Sequence, residues 1–170
     1  SLNKTPLDRF AGVPSIGMNK IDMIFTRTNW RPSMIITANN LVVRQHWESM
    51  VKNEIPCYLS WKSRWFLPRK KRSKFTFFQS DIGSDFQTNA ASSVGSAGTV
   101  TYTALQFAYY LGANPVIIVG VDHSFQTTGA ANDLQKRIGD DNNHFDPNYF
   151  AEGQYWGVPN LDASEKGYLN

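Results

Sequence analysis

The chain has 170 residues, 41% hydrophobic and 14% aromatic, and carries 17 Lys and Arg against 14 Asp and Glu for a net charge of +3. That composition supports one domain with a real core and excludes a disordered chain, while so mild a basic excess does not mark a nucleic-acid binder. The single cysteine, Cys57, excludes an internal disulfide and a cysteine-based zinc cluster; no run approaches the ~18 apolar residues of a membrane span, and no signal segment opens the chain.

In chain order, "SLNKTPLDRF" opens without a strand, and Ser1-Leu2 reads as vector-derived. "PSIGMN" (Pro14 to Asn19) and "SMIITANN" (Ser33 to Asn40) are apolar runs ending in amides, which predicts buried strands that stop at Asn19 and at Asn39 or Asn40. From Leu41, apolar residues at Leu41, Val42, Trp47, Met50 and Val51 predict a helix. "PCYLSW" is a third strand candidate, with Cys57 packed in its core in a reducing compartment. "WFLPRKKRSKFTFF" mixes aromatics with Arg69, Lys70, Lys71, Arg72 and Lys74. A solvated loop or lysine-protected hairpin edge is its plain reading; a basic flap against anionic lipid or acceptor glycan is the sharper one, and a nucleic-acid patch the third.

The most informative stretch follows. Gly95, Ser96, Ala97, Gly98 and Thr99 form a small-residue loop, Val100 to Leu111 an apolar helix with Gly112 at its stop, and Val116 to Val121 an apolar run expected to be a central, fully buried strand. Loop, helix and strand in that order predict a doubly wound α/β fold with a mainly parallel sheet, whose ligands bind beyond the carboxyl ends of the strands. Asn19, Asn39 or Asn40, the Gly95–Thr99 loop and Asp122 are therefore expected on one rim. "NLDASEKGYLN" reads as a helix barely begun, with Asp162 as its N-cap, so the chain is expected to be one domain spanning 1–170 and cut at both ends.

A Gly/Ser/Thr loop before a helix leaves backbone N–H groups for an anion, although it matches neither the triphosphate P-loop nor the dinucleotide fingerprint, and close helix packing explains it nearly as well. Asp122 suits a ribose hydroxyl, a metal or a turn cap, and His123 and His46 suit structural or surface roles. His144 differs because of its company. In "GDDNNHFDPNYF" (Gly139 to Phe150) acids and amides precede it and Phe145, Tyr149 and Phe150 follow. Carboxylates hold an imidazole in one tautomer, amides such as Asn143 bind sugar hydroxyls, and aromatics dock a ring face, so the loop is a candidate active site with His144 as general base. The plain alternative is a surface turn.

These segments, "GMNKIDMIF", "TNWRPSMIITANN", "GSAGTVTYTALQFAYYLGANPVIIVGVDHSF" and "NHFDPNYF", resemble the domain-of-unknown-function 115 group, the 6-hydroxymethylpterin diphosphokinase-like proteins, which are structurally similar to the family 42 glycosyltransferases, the bacterial sialyltransferases. The resemblance implies a Rossmann-like, sialyltransferase-type variant of the GT-A fold. Those chains open with a strand and Gly-Asn-Gly-Pro-Ser-Leu; here only "SL" stands at that point, which implies that the first strand is missing. By the resemblance, Asn19 contacts the cytidine nucleotide, Asn39 or Asn40 fills a second amide position, and Gly95, Ser96, Gly98 and Thr99 lie beside the nucleotide. His144 matches the histidine of the Ser-His-Tyr motif, with Phe145 in the tyrosine's place, and Tyr149 and Tyr155 are the nearest phenols to steady the departing phosphate.

The expected function is thus transfer of a sugar, a nonulosonic acid, from a CMP-activated donor to a glycan or protein hydroxyl, inverting, without a metal or other cofactor, in the assembly of cell-surface glycans. The alternatives are an ATP-dependent pterin diphosphokinase, with Mg2+ on Asp122, Asp140 or Asp141, and a nucleotide- or glycan-binding module without turnover. No Lys or Arg occurs in residues 81–115, which favours the sugar reading. The expected setting is cytoplasmic, at the inner face of a membrane touched through Arg69 to Arg72, with a homo-oligomer as a further expectation and no nucleic-acid partner.

Overall fold

The computed structural model describes residues 2–81, 83, 85–122 and 124–169. Its centre is a four-stranded, all-parallel sheet in the order β1 (Ile16–Met18), β2 (Met34–Thr37), β3 (Cys57–Ser60), β4 (Thr76–Phe78). The chain is therefore α/β with a parallel sheet. The strands form where apolar, β-branched or aromatic side chains alternate between two cores, as period-2 geometry requires. Ile35, Cys57 and Leu59 enter one core; Ile16, Met18, Ile36, Tyr58 and Phe78 enter the other. Gly17 is held to glycine by close packing, since a Cβ there would lie 2.6 Å from the Ile21 side chain and 3.0 Å from Pro32.

All three connections between these strands cross the first face. They are the 3-10 helix Ile21–Ile24, helix α1 (Asn40–Lys52) and a pair of 3-10 turns, Trp61–Phe66 and Arg69–Lys74, anchored inward by Leu67 and Phe75. α1 starts where Asn39 caps it, its Oδ1 accepting from the N–H groups of Leu41 (2.9 Å) and Val42 (3.4 Å). A short parallel pair, β5 (Ser80–Asp81) with β6 (Val94–Gly95), leads to α2 (Val100–Tyr110). Capped by Thr99 and stopped before Gly112 at φ 76°, α2 packs on the opposite face and contacts β1, β2 and β6. An antiparallel pair, β7 (Leu134–Lys136) with β8 (Tyr155–Gly157), and α3 (Leu161–Tyr168) complete the chain.

Two expectations are corrected. Val116–Val121 is not a strand, and Val116, Ile117 and Ile118 are 44%, 75% and 54% exposed. β-branched residues favour an extended backbone, but a strand also needs a partner, and no described strand pairs with this run. Only its far end is packed, where Val119 meets the first core and Gly120 lies against Leu2. α3 is a full helix of eight residues capped by Asn160, whose side chain accepts from the Ala163 N–H at 3.0 Å; Asp162 sits in the first turn instead. No helix among the described residues is long and apolar enough to cross a membrane.

Candidate active site at the end of the first strand

Because the sheet is parallel, the residues following β1 and β2, Asn19 and Asn39, share one rim. Asn19 turns the chain out of β1 with a left-handed backbone (φ 53°), a conformation asparagine tolerates better than most residues. Its side chain lies close to the Tyr149 hydroxyl, while its Oδ1 is buried with no partner among the described residues. Lys20 follows. Its backbone N–H also donates to the Tyr149 hydroxyl (3.4 Å), and its buried Nζ donates to the Tyr149 carbonyl at 2.6 Å and to Gln154 Oε1 at 3.4 Å. The ammonium lies 4.4 Å from the centre of the Phe150 ring. Burial lowers the Lys20 pKa to about 8, opposed by the negative charges of Asp141 and Asp22.

The polar loop Gly139–Phe150 thus docks on the end of β1, and its own core is acidic and aromatic. Asp141 is only 4% exposed, and every oxygen is used. Oδ1 accepts from the Asn143 N–H at 2.9 Å; Oδ2 lies 2.8 Å from His144 Nδ1 and accepts from the Phe150 N–H at 3.3 Å. Burial by itself would raise the Asp141 pKa, but the His144 hydrogen bond and charge, with the Asn143 N–H and Arg137, hold it below the ordinary carboxylate value. His144 stacks flat on Tyr149 (3.9 Å between centroids, 2° between planes), with Phe125 and Phe150 against it edge-on. An ionised carboxylate only accepts, so the neutral ring donates from Nδ1 and carries its lone pair on Nε2, which has no protein partner among the described residues. Burial pushes the Tyr149 phenol well above its usual range, so it stays protonated. Arg27 ties the loop's outer side, bonding Asp146 at 3.3 Å and Asn3 at 3.3 Å, with its guanidinium 5.9 Å from the Phe145 ring.

The remaining predicted residues have other tasks. Asn143 clamps the Gln126 backbone at both ends of its amide (2.7 and 3.0 Å). Asn40 accepts from the Ser63 hydroxyl at 2.7 Å, and Tyr155 is exposed on β8, its carbonyl accepting from Gln45. Asp122 is exposed, three residues before Phe125; His123 and Ser1 lie outside the described residues.

The Gly95–Thr99 loop is largely engaged. The N–H of Gly95 donates to Gln106 Oε1, its carbonyl accepts from Gln106 Nε2, Ser96 donates to Gly83 and Thr99 to Ser96. α3 covers the loop, with Gly167 against Ala97 and Ala163 beside Gly98. This is the close helix packing that its composition equally allowed.

Two open grooves, of about 420 and 460 Å³, lie away from Asn19 and Gly98. The first adjoins the His144 loop through Gln126 and is lined also by Gln135, Lys136, Arg137 and Trp156. The second runs along α1, where buried Asp22 meets His46 Nε2 at 2.7 Å and the Ser49 hydroxyl at 2.5 Å.

Lys20, Arg27 and Gln106 were not singled out from the sequence. Gln106 was visible as the lone amide in an apolar helix, and the i, i+3 spacing to His144 distinguishes Asp141 from Asp140. Nothing local marks Lys20 or Arg27. No group of three or more metal-ligating side chains occurs among the described residues. No family model, curated protein or solved structure matches the chain.

Proposed function

We propose that the chain is a sugar-transferring domain of Rossmann-like, sialyltransferase-type architecture, with His144 as the general base. The observation that carries this reading is the Asp141–His144 pair: a buried carboxylate fixes Nδ1 and leaves Nε2 as a lone pair, on a ring stacked against Tyr149, whose hydroxyl accepts from the Lys20 N–H next to Asn19. In the proposed step Nε2 takes the proton of an acceptor hydroxyl, the oxygen forms a bond to the anomeric carbon of a CMP-activated nonulosonic acid, and the bond to the phosphate breaks, CMP leaving with its electron pair and the centre inverting. The groove of amides, Lys136 and Trp156 beside the loop suits a hydroxyl-rich acceptor. Asp141, with both oxygens hydrogen-bonded, suits orienting a ring better than holding Mg2+ for a diphosphokinase.

The test is CMP release from a CMP-activated nonulosonic acid with a galactoside acceptor. His144→Ala should lower turnover by roughly 10²–10⁴ and leave CMP binding intact, the signature of losing proton transfer alone. Unchanged turnover in that variant would remove His144 from the chemistry.

A further inference from the structure

The connection between β3 and β4 is shaped for a purpose that packing does not explain. From Ile55 to Ser80 the chain contains no acidic residue, yet its two 3-10 turns read WKSRWF and RKKRSK. Three side chains hold the unit down: Ser63, whose hydroxyl donates to Asn40, and the buried Leu67 and Phe75. Almost everything else points out. Trp65 is 67% exposed, Trp61 47% and Phe66 42%, and Arg69, Lys70 and Lys71 are exposed beside them.

We propose that this face docks on an anionic lipid surface. Exposed indoles among lysines and arginines match the two components of such a surface, because indole rings settle at the level of the headgroups while cations meet anionic phosphates. The arrangement is pre-ordered. The Arg64 guanidinium lies 4.0 Å from the Trp61 ring centre and 4.4 Å from that of Trp65, Arg72 lies 5.6 Å from Trp65, and Trp61 is braced edge-on against Phe77. Guanidinium groups therefore already cover indole faces that a stacking nucleobase would need, and neither of the two grooves described above tracks this region as a nucleic-acid strand would require. The proposal does not rest on sugar transfer, since docking requires no turnover.

Co-sedimentation of the whole chain with vesicles tests it. Vesicles of phosphatidylcholine mixed with phosphatidylglycerol should carry the protein down, vesicles of phosphatidylcholine alone should not, and added salt should release it. Each basic residue near an anionic surface is worth roughly fivefold, so Arg69→Gln, Lys70→Gln and Lys71→Gln together should weaken binding on the order of 100-fold. Trp65→Ala should weaken binding to the same vesicles, and both variants should keep the wild-type circular dichroism spectrum because the side chains removed are exposed. Failure to bind anionic vesicles, binding that neither variant weakens, or tighter binding to a single-stranded oligonucleotide than to the vesicles would overturn the proposal.

Discussion

The loop Gly139–Phe150 and the run Val116–Val121 reverse what their compositions suggest. The first is crowded with acids and amides and yet buries Asp141, Tyr149 and Phe150; the second is Val-Ile-Ile-Val and yet exposes its first three side chains. The difference lies in partners. Both carboxylate oxygens of Asp141 have donors, and Lys20 crosses from the end of β1 to satisfy the Tyr149 carbonyl, so this part of the polar loop is buried without orphaned charge. The apolar run has no described strand beside it, and apolar side chains by themselves supply no hydrogen-bonding edge.

The sharpest way to break this comparison is Asp141→Ala. It strands the Asn143 and Phe150 N–H groups and the His144 ring together, and should cost about 3 kcal/mol in denaturant unfolding. Acid should report the same bond. The folded pKa values of Asp141 and Asp22 are depressed, so their stabilisation is complete above the ordinary value of 3.8 and is lost as pH falls through the lower folded values; Asp141→Asn should remove part of that loss in unfolding curves taken at decreasing pH. Lys20 acts in the opposite window. With a folded pKa of about 8 against 10.5, the unfolded chain binds more protons at Lys20 between those values, so the Lys20 contribution rises with pH there against the opposing fall from Cys57 and Tyr149, whose raised pKa values keep their protons on the folded chain, and Lys20→Met should make the net change of stability with pH more negative.

Tyr149→Phe removes the hydroxyl that accepts from the Lys20 N–H while keeping the ring under His144, and should cost about 1 kcal/mol by the same measurement. The smallest effect is expected in the other region. Ile117→Asn should change stability by no more than about 0.5 kcal/mol, since the side chain is already in water. Hydrogen exchange separates the regions without mutation: the Asn143 and Phe150 amides should be protected, and those of Ile117 and Ile118 should exchange close to the rate of an unfolded chain. A Val116–Val121 run found strongly protected would return it to the sheet.

Much of the architecture was legible because it rests on local signals. Short apolar runs marked β1, β2 and β3, helical spacing marked α1, and Gly112 marked the end of α2, each a consequence of backbone geometry that acts over a few residues. The same local logic overreached at Val116–Val121. It also stayed ambiguous at Gly95–Thr99, where the free N–H groups of an anion site and the small residues of a helix contact have one spelling. Gln106, eleven residues away, engages Gly95, and α3 covers the rest.

For the candidate site, the sequence by itself determined the participants that declare their chemistry: a histidine among acids and aromatics, and an asparagine closing an apolar strand. Only the tertiary structure decided which carboxylate serves His144, that Tyr149 lies flat beneath its ring, and that Lys20 reaches across 129 residues of sequence to hold the loop in place. The physical reason is range. Propensity and periodicity are written into neighbouring residues, whereas burying a charge depends on which distant donors and acceptors the fold brings within hydrogen-bonding distance.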